Sequence, residues 1–184
     1  MKLFNRNRIL YMMNRLGVVV TMASLLIVAG CWFKKDATAD TQEPKLRVIN
    51  VLDASLYNDS HIKGSEHVNF FELAEKVADW NKNTPIVVYC SNYACTASGD
   101  AVRQLSALGF TQVYAYEGGM AEWFQLSRGT PDRPADALYA IDESLPSAQG
   151  YLTVVMQKPE REVTDIKVVT APELKQMMQD AQLL

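Results

Sequence analysis

Ile86-Val87-Val88-Tyr89-Cys90-Ser91-Asn92-Tyr93-Ala94-Cys95-Thr96-Ala97-Ser98 is the stretch that decides how this chain folds. A β-branched apolar run stops at a cysteine. Small and polar residues follow, and from Ala97 to Leu105 the apolar residues recur at helical spacing. The pattern is strand, tight loop, helix. In that geometry the loop N–H groups and the helix N-terminus converge and favour negative charge. A thiol held there is expected to have a lowered pKa and to react as thiolate. The competing reading is a buried cysteine that closes a core strand, as free cysteines often do. Cys90 stands at the end of the strand and not inside it, which favours chemistry.

The chain around this stretch has ordinary globular composition, with 184 residues, 48% hydrophobic and 21% charged. Its net charge of −3 hides an asymmetry. The first 30 residues hold Lys2, Arg6, Arg8 and Arg15 and no acid; removing these four from 18 basic groups leaves 14 against 21 acidic ones. An acidic body argues against nucleic acid and does not steer small anions inward. Three cysteines are too few for a disulfide scaffold, and His61 and His67 alone offer no zinc-binding set; no metal or cofactor is expected.

The basic start and the apolar run from Leu16 to Gly30 have the layout of a bacterial export signal. The run is short for a membrane span. It ends in Val28-Ala29-Gly30-Cys31, which resembles the lipobox of bacterial lipoproteins. That resemblance implies cleavage before Cys31 and lipid on its sulfur, so residues 1–30 are expected to be the signal peptide. Trp32, where inner-membrane retention commonly has Asp, favours the outer membrane. The expected location is the cell envelope, lipid-anchored and facing the periplasm. Residues 31–45 read as a flexible tether, for Lys34 to Lys45 holds no large apolar residue.

The folded part is expected from Leu46. Arg47–Leu52 reads as a strand, Asp53–Tyr57 as a helical turn with Asp53 either as its cap or orienting the cysteine loop, His61–Gly64 as a polar bend, and Phe71–Trp80 as a helix. After the central strand and its helix, Gly109 serves as C-cap. Gln112–Tyr116 is the next strand, and Glu117-Gly118-Gly119 turns into a helix at Met120–Leu126. Trp123, Phe110 and Phe71 are expected in the core. Strands alternating with helices predict an α/β fold, a parallel sheet covered on both faces.

Taken together, Val48–Asp53, the Ser60–Ser65 bend, the Val87–Cys90 strand and loop, Gly109-Phe110, and Glu117-Gly118-Gly119 followed by Trp123 resemble a rhodanese-like domain over residues 46–130. The resemblance implies sulfurtransferase chemistry. A cysteine takes a sulfane sulfur from a small donor, a polysulfide or persulfide, and passes it as persulfide to a thiol acceptor, which can be a protein thiol. By position Cys90 is the sulfur carrier, and the backbone amides of Ser91, Asn92, Tyr93, Ala94 and Thr96 belong to the loop that stabilises its charge.

Departures from the family pattern matter too. Members that use thiosulfate commonly carry a cation in this loop, often Arg five places after the cysteine; here that place is Cys95, and the loop has no charge. Thiosulfate is therefore a doubtful donor. Phosphatases related to the fold need Arg where this chain has Thr96, which rejects that activity. Cys90 and Cys95 are read in three ways, in this order: carrier and resolving thiol, a thiol–disulfide switch, or a static disulfide in an inactive binding module.

The far end of the chain holds one more element. The family's usual first strand and helix have no counterpart ahead of Val48, yet Ile166–Leu174 matches them. Thr170 and Glu173 form a capping box with Pro172 in the first turn. Leu174, Met177, Met178 and Ala181 then make one apolar stripe. Residues 131–184 are thus read as an extension whose permuted strand and helix dock on the same domain. The stump of a second domain and exchange between two chains are the alternatives. A strand at Tyr151–Met156 would lie in the connection.

Overall fold

The computed structural model describes residues 45–143, residue 158 and residues 165–184. The export signal, Cys31, most of the tether and the strand expected at Tyr151–Met156 lie outside the described residues. The described residues all belong to one compact unit.

The elements in chain order are β1 (Arg47–Asn50), α1 (Ala54–Asp59), β2 (Ser60–Ile62), β3 (Glu66–His67), a 3-10 turn (Phe70–Glu72), α2 (Leu73–Lys76), β4 (Ile86–Tyr89), α3 (Ala97–Ala107), β5 (Val113–Tyr116), α4 (Gly119–Arg128), β6 (Ile141–Glu143), β7 (Lys167–Val168) and α5 (Ala171–Asp180). Five strands make one parallel sheet in the order β3-β1-β4-β5-β7. β2 and β6 form a small antiparallel pair. This is the expected α/β architecture, with helices on both faces.

β4 is central and every residue in it is buried, because both of its faces are covered. Its side chains alternate between two cores. Val87 and Tyr89 point into a cluster with Trp123, Tyr116, Met120, Leu174 and Met178. Ile86, Val88 and Cys90 belong to the opposite cluster, with Leu73, Val77, Ala101, Val102 and Leu105. Cys90 thus continues the strand's alternation by one residue.

The C-terminal segment completes the sheet. β7 pairs in parallel with β5, Tyr114 opposite Lys167 and Ala115 opposite Val168, and the Val169 N–H donates to the Ala115 carbonyl at 2.9 Å. α5 opens with the capping box: the Thr170 N–H donates to Glu173 Oε2 at 2.7 Å, and the Glu173 N–H donates to Thr170 Oγ1 at 3.5 Å. Val169, Ala171, Leu174 and Met178 are buried in the Trp123 cluster.

Some expectations are corrected. The helix foreseen at Phe71–Trp80 is a 3-10 turn and one turn of α-helix, since the Asn69 side chain accepts the Phe71 N–H and fixes a tight turn at its start. Phe71 is not core but 91% exposed; Phe70 is the partly buried one, packed on the Leu73 cluster. Asp53 makes no side-chain cap and instead accepts the Asn69 side-chain amide at 3.2 Å. The polar bend at His61–Gly64 begins inside a strand, because β6 supplies a partner some 80 residues further on.

Candidate active site

The loop from Cys90 to Thr96 joins the end of β4 to the start of α3. It is fixed from below by the first turn of α4, where the N–H groups of Met120 and Ala121 donate to the carbonyls of Cys90 and Ser91, both at 2.9 Å. Gly119 permits that approach. Its φ is +60°, and a Cβ on it would stand 2.6 Å from the Cys90 carbonyl oxygen and 2.8 Å from the Asn92 nitrogen. From the side, the Tyr93 hydroxyl donates to Glu122 Oε1 at 3.3 Å, while the Tyr116 hydroxyl donates to Oε2 at 2.8 Å. Tyr93 is therefore an anchor of the loop, tied to α4.

Inside the loop, Asn92 takes the Ala94 amide, one of those expected to face Cys90, and the Cys95 amide as well. The Ala94 N–H donates to its Oδ1 at 2.9 Å and the Cys95 N–H to its backbone carbonyl at 3.0 Å. Cys90 is fully buried. Its thiol donates to the Cys95 carbonyl at 3.5 Å and to Ser98 Oγ at 3.7 Å. Carbonyl acceptors favour the protonated form. The contact with Cys95, then burial, then the neighbouring charge hold the Cys90 thiol well above the ordinary range.

Cys95 has the opposite surroundings. It is half-buried and receives the Cys90 thiol, the N–H groups of Ala97 and Ser91, and the Ser91 side chain. These donors, led by Cys90, bring its thiol down to about 5 against the opposing effect of burial. The surroundings thus raise the Cys90 thiol and lower that of Cys95. The reason is that strand alternation carries Cys90 into the core, whereas Cys95 stands beside the first amide of α3.

Next to Cys95 lies a cleft of about 190 Å³. Thr96, Ser98, Gly99, Asp100, Arg103, Glu117 and Ile166 line it together with Cys95. Arg103 is clasped by two carboxylates: its Nε donates to Asp165 Oδ2 at 2.5 Å and its Nη1 to Asp100 Oδ1 at 2.9 Å. Ile166 and Asp165 come from the segment leading into β7. The predicted Cys90, Ser91, Asn92, Tyr93, Ala94, Cys95 and Thr96 stand together; Cys31 lies outside the described residues. Sequence reasoning missed Ser98, Arg103, Glu117, Asp165 and Ile166. The spacing of Asp100 and Arg103 on one helix was a signal for part of the clasp. His61 bonds the Tyr57 carbonyl at 2.9 Å, away from this loop.

A model of the rhodanese-like domain family matches residues 33–126, just over half of the chain. This chain belongs to the rhodanese-like family. The thiosulfate sulfurtransferase GlpE of Pseudomonas savastanoi pv. phaseolicola is 32% identical over 76 residues, 41% of this chain and 70% of that protein. GlpE of Shewanella oneidensis is 28% identical over 85 residues, 46% of this chain and 82% of the relative. Among solved structures, a rhodanese-like domain from Anabaena sp. is 31% identical with a TM-score of 0.40, covering 43% of this chain and 90% of that one. The rhodanese-like family is one of sulfurtransferases, whose chemistry in general needs a sulfur donor and a thiol acceptor.

Proposed function

We propose that this protein is a sulfurtransferase of the cell envelope, held by lipid on Cys31 and facing the periplasm, with outer-membrane sorting favoured by Trp32. It takes a sulfane sulfur from a polysulfide or persulfide as a persulfide on the Cys90/Cys95 loop. It then delivers that sulfur to a thiol acceptor or releases it as sulfide. The observation that carries this reading is the pair itself: two free thiols in one loop, in hydrogen-bond contact, with Cys95 beside the cleft. The same contact suits a thiol–disulfide switch without sulfur transfer, and one experiment separates the two. Full-length protein is given inorganic polysulfide and a dithiol. Catalytic sulfide release supports sulfur transfer; disulfide reduction with no turnover of polysulfide supports the switch. For the anchor, Cys31→Ser should leave the precursor unprocessed, and a soluble periplasmic form with a free wild-type Cys31 thiol would refute lipidation.

The relatives are named for thiosulfate, but the cleft of this chain argues for a donor of lower charge. Arg103 is matched by Asp100 and Asp165, and Glu117 adds another carboxylate. Exposed pairs of this kind contribute little to stability, yet they decide which charge an incoming ligand meets. Asp165→Asn should therefore lower the KM for thiosulfate by up to about fivefold, the range for one exposed charge. The kcat should hardly change, and the gain should fade at high salt. An unchanged ratio of thiosulfate to polysulfide activity would remove Asp165 from specificity.

A further inference from the structure

Resting on the sulfurtransferase reading, we propose that the sheet edge bearing the cysteine loop is a docking face for a protein thiol acceptor, anchored by Phe71 and suited to a basic segment around the acceptor cysteine. Strand register assembles the face. The last residues of four strands stand level: Asn50 pairs with both His67 and Tyr89, and Tyr89 pairs with Tyr116. The bonding runs on past the strand ends. The Val51 N–H donates to the Tyr89 carbonyl and the Phe70 N–H to the Val51 carbonyl, both at 3.2 Å. The turn that carries Phe71 is thus tied, through Val51, to the residue before Cys90. Two strand spacings, about 10 Å, separate the two loops.

Phe71 stands almost wholly in solvent, yet its backbone is held. Its N–H donates to Asn69 Oδ1 at 3.0 Å, the Asn69 amide donates to Asp53 at 3.2 Å, and its ring meets that of Phe70 edge-on with centroids 5.5 Å apart. Phe70 in turn packs on the cluster that holds Cys90. An aromatic ring placed in advance loses little freedom when a partner covers it, which is how interface anchors act. Leu56, on the helix that follows β1, is exposed as well. Size and charge decide the occupant. The cleft beside Cys95, about 190 Å³, is smaller than the roughly 300 Å³ at which small-molecule pockets begin. It admits a cysteine side chain and leaves the rest of an acceptor outside, over the edge. Carboxylates dominate there: Asp53 and Glu72 stand by the Phe71 turn, and Asp100 and Glu117 line the cleft. Arg103, which also lines the cleft, is taken by Asp100 and Asp165, and Lys76, at the far end of α2, offsets one charge. Such a field attracts lysine and arginine and repels acidic chains, further copies of this acidic protein among them.

The transfer step balances. The acceptor thiol, its proton lost to solvent, attacks the outer sulfur of the persulfide on the loop. The S–S bond breaks, the loop cysteine leaves as thiolate, and the acceptor becomes R–S–SH. Sulfane sulfur changes hands without net oxidation, so no oxidant or reductant is consumed. Phe71 takes no part in these bonds. It holds the acceptor segment over the loop.

The test uses reduced full-length protein loaded from inorganic polysulfide, with acceptors offered one at a time. These are dithiothreitol, a short peptide holding a cysteine, a leucine and lysines, and the same peptide with glutamates for the lysines. Phe71→Ser should lower kcat/KM for the lysine peptide by about tenfold, as loss of an aromatic anchor does, and leave transfer to dithiothreitol unchanged. Glu72→Gln should lower it by about twofold to threefold at low salt and not at high salt. The lysine peptide should exceed the glutamate peptide by about tenfold. An unchanged lysine peptide in Phe71→Ser, or an equal loss with dithiothreitol, would overturn the docking face and leave sulfur transfer standing. So would a dimer, or binding to phosphatidylglycerol vesicles, that Phe71→Ser abolishes while peptide transfer is kept; the face would then belong to a second copy or to a membrane. A wild-type protein that takes up no sulfur would remove the sulfurtransferase reading instead. Anisotropy of the labelled lysine peptide then still decides the face, for wild type should bind it about tenfold more tightly than Phe71→Ser does.

Discussion

Ending the chain after residue 164 should leave it unable to hold its fold at room temperature. The lost segment contributes β7 to the sheet and buries Val169, Ala171, Leu174 and Met178 in the Trp123 cluster. At about 1.5–3 kcal/mol for each large apolar side chain, Val169, Leu174 and Met178 together amount to roughly 5–9 kcal/mol as an upper value. That is comparable with the whole stability of an ordinary domain, about 5–15 kcal/mol. The cut also exposes the edge of β5, which invites pairing with other chains. Thermal unfolding followed by circular dichroism, with light scattering for aggregation, reads the result. A gentler version is Leu174→Ala, which should cost about 2–5 kcal/mol and lower the melting temperature by about 10 °C. A truncated chain that melts where the full chain does would mean that α5 holds nothing together.

The second large effect is expected at Gly119. Gly119→Ala should reduce sulfur transfer by about 10²-fold, the usual result of moving reacting groups by an ångström. The new Cβ would collide with backbone atoms of Cys90, Ser91 and Asn92, and no rotamer change relieves a backbone contact. The loop must shift, and with it both sulfurs. Gly109→Ala is the control. Its φ of +91° imposes a comparable backbone penalty, but nothing lies within 4 Å of the added carbon. It should lower stability and leave activity per folded molecule unchanged. Equal loss of activity in both variants would assign the Gly119 effect to folding.

Much of this molecule was legible in local pattern. The apolar run at Ile86–Tyr89, the helix after it and the capping box at Thr170 and Glu173 depend on neighbours a few residues away, and they stand where the sequence puts them. The β2–β6 pair was not legible, for three-residue strands carry little periodicity and their partners are distant in the chain. Phe71 was assigned to the core from its type alone. The Asn69-capped turn instead places Phe70 inward and leaves Phe71 exposed.

The candidate site divides in the same way. That Cys90 and Cys95 share one loop at a helix N-terminus follows from their spacing in the chain. Even the burial of Cys90 was implicit in the alternation of Ile86, Val88 and Cys90 along one strand face. How each sulfur is surrounded was decided by packing across the chain. The answer depends on where Asn92 directs two amides and on Gly119 letting α4 hold the loop from below. The charge of the cleft is equally non-local: Asp165 reaches Arg103 from 62 residues away, because β7 docks beside β5. A thiol's ionisation and a cleft's net charge are sums over groups brought together by packing, and no spacing rule along the chain contains them.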